Sequence, residues 1–227
     1  MVLSFDNAKV QWKQNLRNEL HHQIVLNWFK MRSDLLITSL QQYIPLTERD
    51  QQLIINCLRE RKVKKGQFLV HEGAVSRCTN FVNEGSVRTY FIDLNGQEHI
   101  VQFAIEGWWI SDLNSFILQV PATFNVQAIE DSVILELPFE SLELLYEQIP
   151  KLERYFRIVT QRAFVAFQQR IVQNISMTAE DRYLAFQQKY PKIELRIPQR
   201  LVASYLGISA EFLSKIKKRL KEGRGKI

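Results

Sequence analysis

Residues 196–220, RIPQRLVASYLGISAEFLSKIKKRL, hold two short amphipathic segments joined at a single glycine. Leu201, Val202, Tyr205 and Leu206 recur at helical spacing and give the first segment an apolar face. Gly207 follows as the residue able to take a left-handed turn conformation, with apolar Ile208 beside it. Ser209 is placed to cap a second helix, whose inward side is Phe212, Leu213, Ile216 and Leu220. Helix, short glycine-containing turn, helix is the helix-turn-helix pattern. The outward side of the second helix carries Glu211, Ser214, Lys215, Lys218 and Arg219. In the major groove of DNA a carboxylate accepts from cytosine N4, and cationic side chains reach guanine acceptors or phosphates. The candidate DNA contacts are therefore Ser209, Ala210, Glu211, Ser214, Lys215, Lys218 and Arg219, with Gln199 and Arg200 heading the first helix. The same pattern also fits a helical hairpin with a solvated basic face.

The charge distribution bears on that choice. Residues 176–227 hold 12 Lys/Arg against 5 Asp/Glu, whereas residues 1–175 hold 18 against 19. The whole positive excess of +6 therefore lies in the last quarter of the chain, as a polyanion partner requires. A solvated basic tail has the same composition. No apolar run approaches the roughly 20 residues that span a bilayer. VLSF near the N-terminus is broken at once by Asp6, Asn7 and Lys9, so no signal peptide is expected and the expected location is the cytoplasm. Cys57 and Cys78 are the only cysteines, which excludes a CxxC zinc site or a four-cysteine iron–sulfur cluster. They read as two free thiols, although they could pair.

Upstream of the basic block the period changes twice. Residues 1–30 mix polar and aromatic side chains, Trp12 and Trp28 among them; helical patterning then runs to Glu60, with Thr47 and Asp50 placed as N-cap and N3 of one helix. From Lys64 the runs QFLVHEG, CTNFVNEGSVRTYFID, QEHIVQFAIEG and TFNVQAIEDSVILEL read as short strands, divided by turn pairs. Asn95-Gly96 predicts a type I′ hairpin. Many short antiparallel strands imply a β-sandwich or jelly-roll barrel. After Pro138 helical patterning returns: PFESLELLYEQI is one short helix, and residues 151–175, free of Gly and Pro, form one helix of roughly seven turns.

That long helix has two apolar seams. Leu152, Phe156, Val159, Ala163 and Ala166 form one; Thr160, Phe164, Phe167, Ile171 and Ile175 form the other. Two seams need two partners. The simplest arrangement packs one on the chain's own barrel and the other on the same helix of a second copy, with the first set taken as the dimer interface. A helix buried in one monomeric core is the alternative.

The order of parts is β-roll, long helix, helix-turn-helix. With FLVHEG, FVNEGSVRTYFIDLNGQEHIVQFA, GWWISDLNSF, AEDRYLAF and VASYLGISAEFLSKIKK, this resembles the Crp/Fnr superfamily of bacterial transcription regulators over residues 32–222. The spacing is most like the branch common in Bacteroidetes-type bacteria, where GWW-x-x-D-x-x-S-F recurs. The resemblance implies an α+β fold: an N-terminal jelly-roll β-barrel with flanking helices, a long dimerisation helix, and a C-terminal winged helix-turn-helix. Its parts would be residues 1–30 as an extension outside the match (or upstream sequence, if translation begins at Met31), 31–150 as a cyclic-nucleotide-binding-like effector domain, 151–175 as the dimerisation helix, and 176–227 as the DNA-binding domain. It further implies a palindromic double-stranded operator, a homodimer, RNA polymerase as a further partner, a roll that either senses an unidentified small-molecule effector or has lost sensing, and no enzymatic activity. The family's Arg-Glu pair, and the Arg four residues beyond the Glu, fall at Ala210, Glu211 and Lys215. Lys215 lacks the bidentate fork of arginine, so the bases read are expected to differ from the family's best-known site.

Relatives that respond to cyclic AMP hold its phosphate with a Gly-Glu pair and an Arg-Ser pair. Those places are Ser111, Asp112, Ala122 and Thr123 here, and no Lys or Arg lies between Arg88 and Lys151. The polar residues that meet the purine are replaced by Phe167 and Gln168. The expected effector pocket, Trp109, Ser111, Asp112, Leu113, Ala122, Thr123, Phe167 and Gln168, thus lacks the cation that an anionic cyclic phosphate needs. No cofactor is expected: His71 and His99 are weak haem-ligand candidates, and Ser111, Asp112 and His99 lack the motifs of a hydrolase triad. A ligand-binding signalling module whose C-terminal helices contact a protein, not DNA, is the competing functional reading.

Overall fold

The computed structural model describes residues 33–224. The segment 1–30, expected to be an extension, lies outside the described residues. Helix α1 (residues 33–41) and α2 (Glu48–Cys57) precede the sheets. Thr47 and Asp50 form a reciprocal capping box at the start of α2, as their three-residue spacing predicts. The strands are β1 (Arg59–Val63), β2 (Phe68–Val70), β3 (Cys78–Glu84), β4 (Ser86–Ile92), β5 (Glu98–Ile105), β6 (Trp109–Ile110), β7 (Asn125–Ala128) and β8 (Ser132–Pro138), with α3 (Leu113–Leu118) between β6 and β7. Two four-stranded antiparallel sheets result, β1-β8-β3-β6 and β2-β7-β4-β5. The remainder is helical: α4 (Phe139–Gln148), α5 (Lys151–Ser176), α6 (Ala179–Lys189), α7 (Pro191–Arg196), α8 (Gln199–Tyr205) and α9 (Ala210–Arg224).

Three local expectations are corrected. Arg59 and Glu60, read as the end of the helical stretch, instead open strand β1, paired with β8 from Arg59↔Glu136 to Val63↔Ser132; a free sheet edge outweighs helix propensity here. The β4–β5 connection is not a type I′ turn, which needs positive φ at both central residues. Only Gly96 is positive, at φ 80°, and Asp93 N–H donates to Gln97 O, which leaves a three-residue loop. The expected wing is also absent: no strand follows β8 among the described residues, and PKIELR is helix α7, favoured by Pro191 in its first turn.

Three apolar clusters hold these parts. Val82, Val87, Ala104, Ile110, Val126 and Ile134 fill the space between the sheets. Phe81 and Leu135 of the first sheet pack against α1, α2, α4 and the start of α5. The third cluster joins Tyr90, Ile100, Phe103 and Ile105 of the second sheet to Tyr183, Phe186, Ile193, Val202, Leu213 and Ile216 of the C-terminal helices. The helix-turn-helix is therefore seated on the roll by a shared core. Between β3 and β4 only glycine fits: Gly85 has φ 96°, and a Cβ there would lie 2.2 Å from Ser132 Oγ.

Candidate nucleic-acid interface and sensor cassette

Helices α8 and α9 form the helix-turn-helix. Leu201, Val202 and Leu206 are buried, Gly207 makes the turn at φ 68°, and Ser209 Oγ accepts from Phe212 N–H. Leu213 and Ile216 face inward, but Phe212, expected beside them, is half-exposed at the helix start. Ala210, Glu211, Ser214, Lys215 and Lys218 line one shallow, open surface of α9. Hydrogen bonding at the helix N-terminus, from the backbone first and then Ser209, holds the Glu211 carboxyl below its ordinary range, with Lys215 adding to it. The other candidates sit at the margin. Gln199 reaches the Ala210 carbonyl, Arg200 is exposed at the head of α8, and Arg219 pairs with Glu180 at 3.1 Å. Lys217 turns the opposite way, onto Glu194 at 2.9 Å, and so belongs to the packing of α9.

The residues expected to form one effector pocket are divided among different environments. Asp112 is 1% exposed and caps α3. One carboxylate oxygen accepts from Ser115 N–H at 3.0 Å; the other accepts from Thr123 N–H at 2.8 Å and Phe124 N–H at 3.0 Å. The carboxylate at the expected effector position thus holds the loop's own N–H donors. Trp109 packs on Phe81 and Phe156 and donates to Tyr155 Oη at 3.0 Å, which ties the roll to the first turns of α5. Trp108 instead meets Tyr190 at the end of α6. Ala122 is buried, whereas the side chains of Leu113, Thr123 and Gln168 are exposed and Ser111 is half-buried. Phe167 lines a separate groove with Phe91, Phe124 and Ile171. His99 pairs with Asp93 at 2.7 Å, so His99, Ser111 and Asp112 form no triad.

The first seam of α5 is corrected in the same way. Leu152 is 2% exposed within the chain's own core, and Phe156 and Val159 pack against that core. Ala163 is exposed and Ala166 half-buried. The uncovered seam is the second: Phe164 is 58% exposed, Phe167 50%, Ile171 45% and Ile175 82%. Three further polar residues had no periodic signal. Arg170 donates to the carbonyls of Ile100, Val101 and Tyr205, and stacks on the Tyr205 ring at 4.0 Å. Ser204 Oγ donates to Glu98 O and accepts from Ile100 N–H. Arg196 bonds both carboxylate oxygens of Glu106, and also Glu130. Strand β5 is the edge of its sheet, so Arg170 and Ser204 satisfy backbone groups that have no neighbouring strand.

An antiparallel roll, a long helix continuing from it and a helix-turn-helix seated on its outer sheet define a class: a sensor-type roll coupled to a nucleic-acid-reading unit. A family model described as "Cyclic nucleotide-binding domain" matches residues 60–148. The "Anaerobic regulatory protein" of Pasteurella multocida is 27% identical over 198 residues, covering 80% of this chain and 71% of its own. The "Transcriptional activator protein anr" of Pseudomonas aeruginosa is 28% identical over 171 residues, covering 70% and 68%. FixK2 of Bradyrhizobium japonicum has the same fold, with a TM-score of 0.66 at 18% identity over 73% of this chain and 85% of its own. Over most of its length the chain is thus similar in sequence to these regulators and shares the fold of FixK2.

Proposed function

We propose that the chain is a homodimeric, sequence-specific DNA-binding transcription regulator of the cytoplasm, with α9 as its recognition helix. The observation that carries this reading is the open face of α9, where Ala210, Glu211, Ser214, Lys215 and Lys218 lie together and none of the other described residues covers them. Names of the relatives support the regulatory role. The uncovered seam Phe164–Phe167–Ile171–Ile175 supports pairing of α5 with its copy, which would set two recognition helices on a palindromic operator. The carboxylate of Asp112 occupies the N–H donors of Thr123 and Phe124, which supports a roll that does not take cyclic AMP.

Two substitutions test the roles on α9. Lys215→Ala removes a phosphate or guanine contact; it lowers affinity for specific DNA and reduces the salt slope by about one unit. Glu211→Ala removes a base reader; it costs about 1–3 kcal/mol of discrimination while affinity for random duplex holds. Fluorescence anisotropy on specific and random duplexes reads both. Equal effects of the two substitutions on both duplexes would remove α9 from base recognition. Salt-insensitive binding to an acidic protein, with none to DNA, would support the protein-partner reading instead.

A further inference from the structure

The apolar ridge of α9 leaves the core in the first turn of the helix. Ile216 is 1% exposed, whereas Phe212, one turn earlier on the same ridge, is 45% exposed. Ala210, Leu213 and Leu220 belong to the cluster that seats α9, and Phe212 stands outside it. Its N–H donates to Ser209 Oγ at 3.1 Å, which fixes it in the turn that follows the N-cap. Lys215, three residues on and so its neighbour along the helix, lies on the open face with Glu211, Ser214 and Lys218. Phe212 is thus a large apolar side chain at the border of a surface that is otherwise small, polar or cationic.

DNA offers few partners to such a side chain. Phosphates present charge, and base edges present donors and acceptors; the apolar group in the major groove is the 5-methyl of thymine. In a helix-turn-helix the N-terminal residues of the second helix are the ones that meet base edges. We infer that Phe212 reads thymine, its ring lying on the 5-methyl group of one thymine in each half-site. The two adjacent side chains then select pyrimidines by different chemistry: the carboxylate of Glu211 requires the N4 donor of cytosine, and the ring of Phe212 requires the methyl. Unlike Lys215, Phe212 neutralises no phosphate, so its contact adds sequence choice without adding to the salt slope. The contact rests on the DNA-binding reading of α9 and adds a base identity to it.

The test starts from a duplex selected out of a random pool by the full chain. Each of its thymines is replaced in turn by deoxyuridine, which lacks the methyl and keeps every hydrogen-bonding group. At one position in each half-site the replacement should weaken binding about fourfold, the scale of one buried methyl-sized group, by fluorescence anisotropy at fixed salt. With Phe212→Ala the thymine and deoxyuridine duplexes should bind alike at that position. Phe212→Leu, which keeps an apolar contact, should retain part of the difference. The deoxyuridine series on the wild type needs no variant, so it decides the matter whether or not Phe212→Ala folds. Specific binding that no deoxyuridine weakens overturns the thymine contact and leaves the DNA-binding reading standing. A methyl dependence that persists undiminished in Phe212→Ala does the same. Failure to select any duplex removes the DNA-binding reading, and the thymine contact with it.

Discussion

Asp112 shows how one side chain can look like a ligand contact and serve the fold. Its two oxygens collect N–H groups from Ser115, Thr123 and Phe124, which lie on both sides of the loop after α3. Removing them together would leave three backbone donors without an acceptor at a position that is 1% exposed. Asp112→Ala should therefore cost about 3 kcal/mol of stability by urea unfolding, and Asp112→Asn distinctly less. A variant of unchanged stability would mean that water can replace the carboxylate. The sequence shows that Asp112 stands where a ligand-binding residue is expected, and that no cation accompanies it. Its bonds to Thr123 and Phe124 are not legible there, because they span 11 and 12 residues of irregular loop.

At the scale of elements, α5 divides into two halves with different partners. Its first turns are held by Leu152, Tyr155 and Phe156 against the chain's own core, and by Lys151 Nζ at 2.6 Å from Asp50 Oδ2 on α2. The hydrogen bond from Lys151 holds the Asp50 carboxyl down at about 2, against the opposing effect of burial. A depressed carboxylate stabilises the fold above its unfolded value, and that contribution is lost as pH falls through the folded value. The stability difference between the wild type and Lys151→Met should accordingly be constant near neutrality and shrink as pH falls from about 4 toward 2. A difference that persists at pH 2 would detach Lys151 from the titration. The later turns expose the second seam, so Ile171→Asp should turn a dimer into a monomer in analytical ultracentrifugation, whereas Ala163→Asp should have the smaller effect. Both seams are legible from spacing alone. Which one the roll covers is not, because it depends on the angle at which α5 leaves Pro150.

For the molecule as a whole, the decisive feature is the cluster that joins the outer face of β4 and β5 to the C-terminal helices. The alternating strands, the long helix and the glycine turn are local patterns, and each is visible in a short window of residues. The seating of one unit on the other is carried by Arg170, Arg196 and Ser204, whose partners lie 35 to 106 residues away. A polar residue on a helix gives no sign in sequence that it will satisfy a distant strand edge. What the whole arrangement leaves open is the basic surface of α9, and its purpose is the central claim. That claim is tested most directly by the affinity of the purified protein for duplex from upstream of its own gene, against random duplex, as salt rises. Preferential binding whose logarithm falls linearly with the logarithm of salt concentration, with a slope of several units, is the predicted result. No preference for the upstream duplex, or an affinity indifferent to salt, would contradict it.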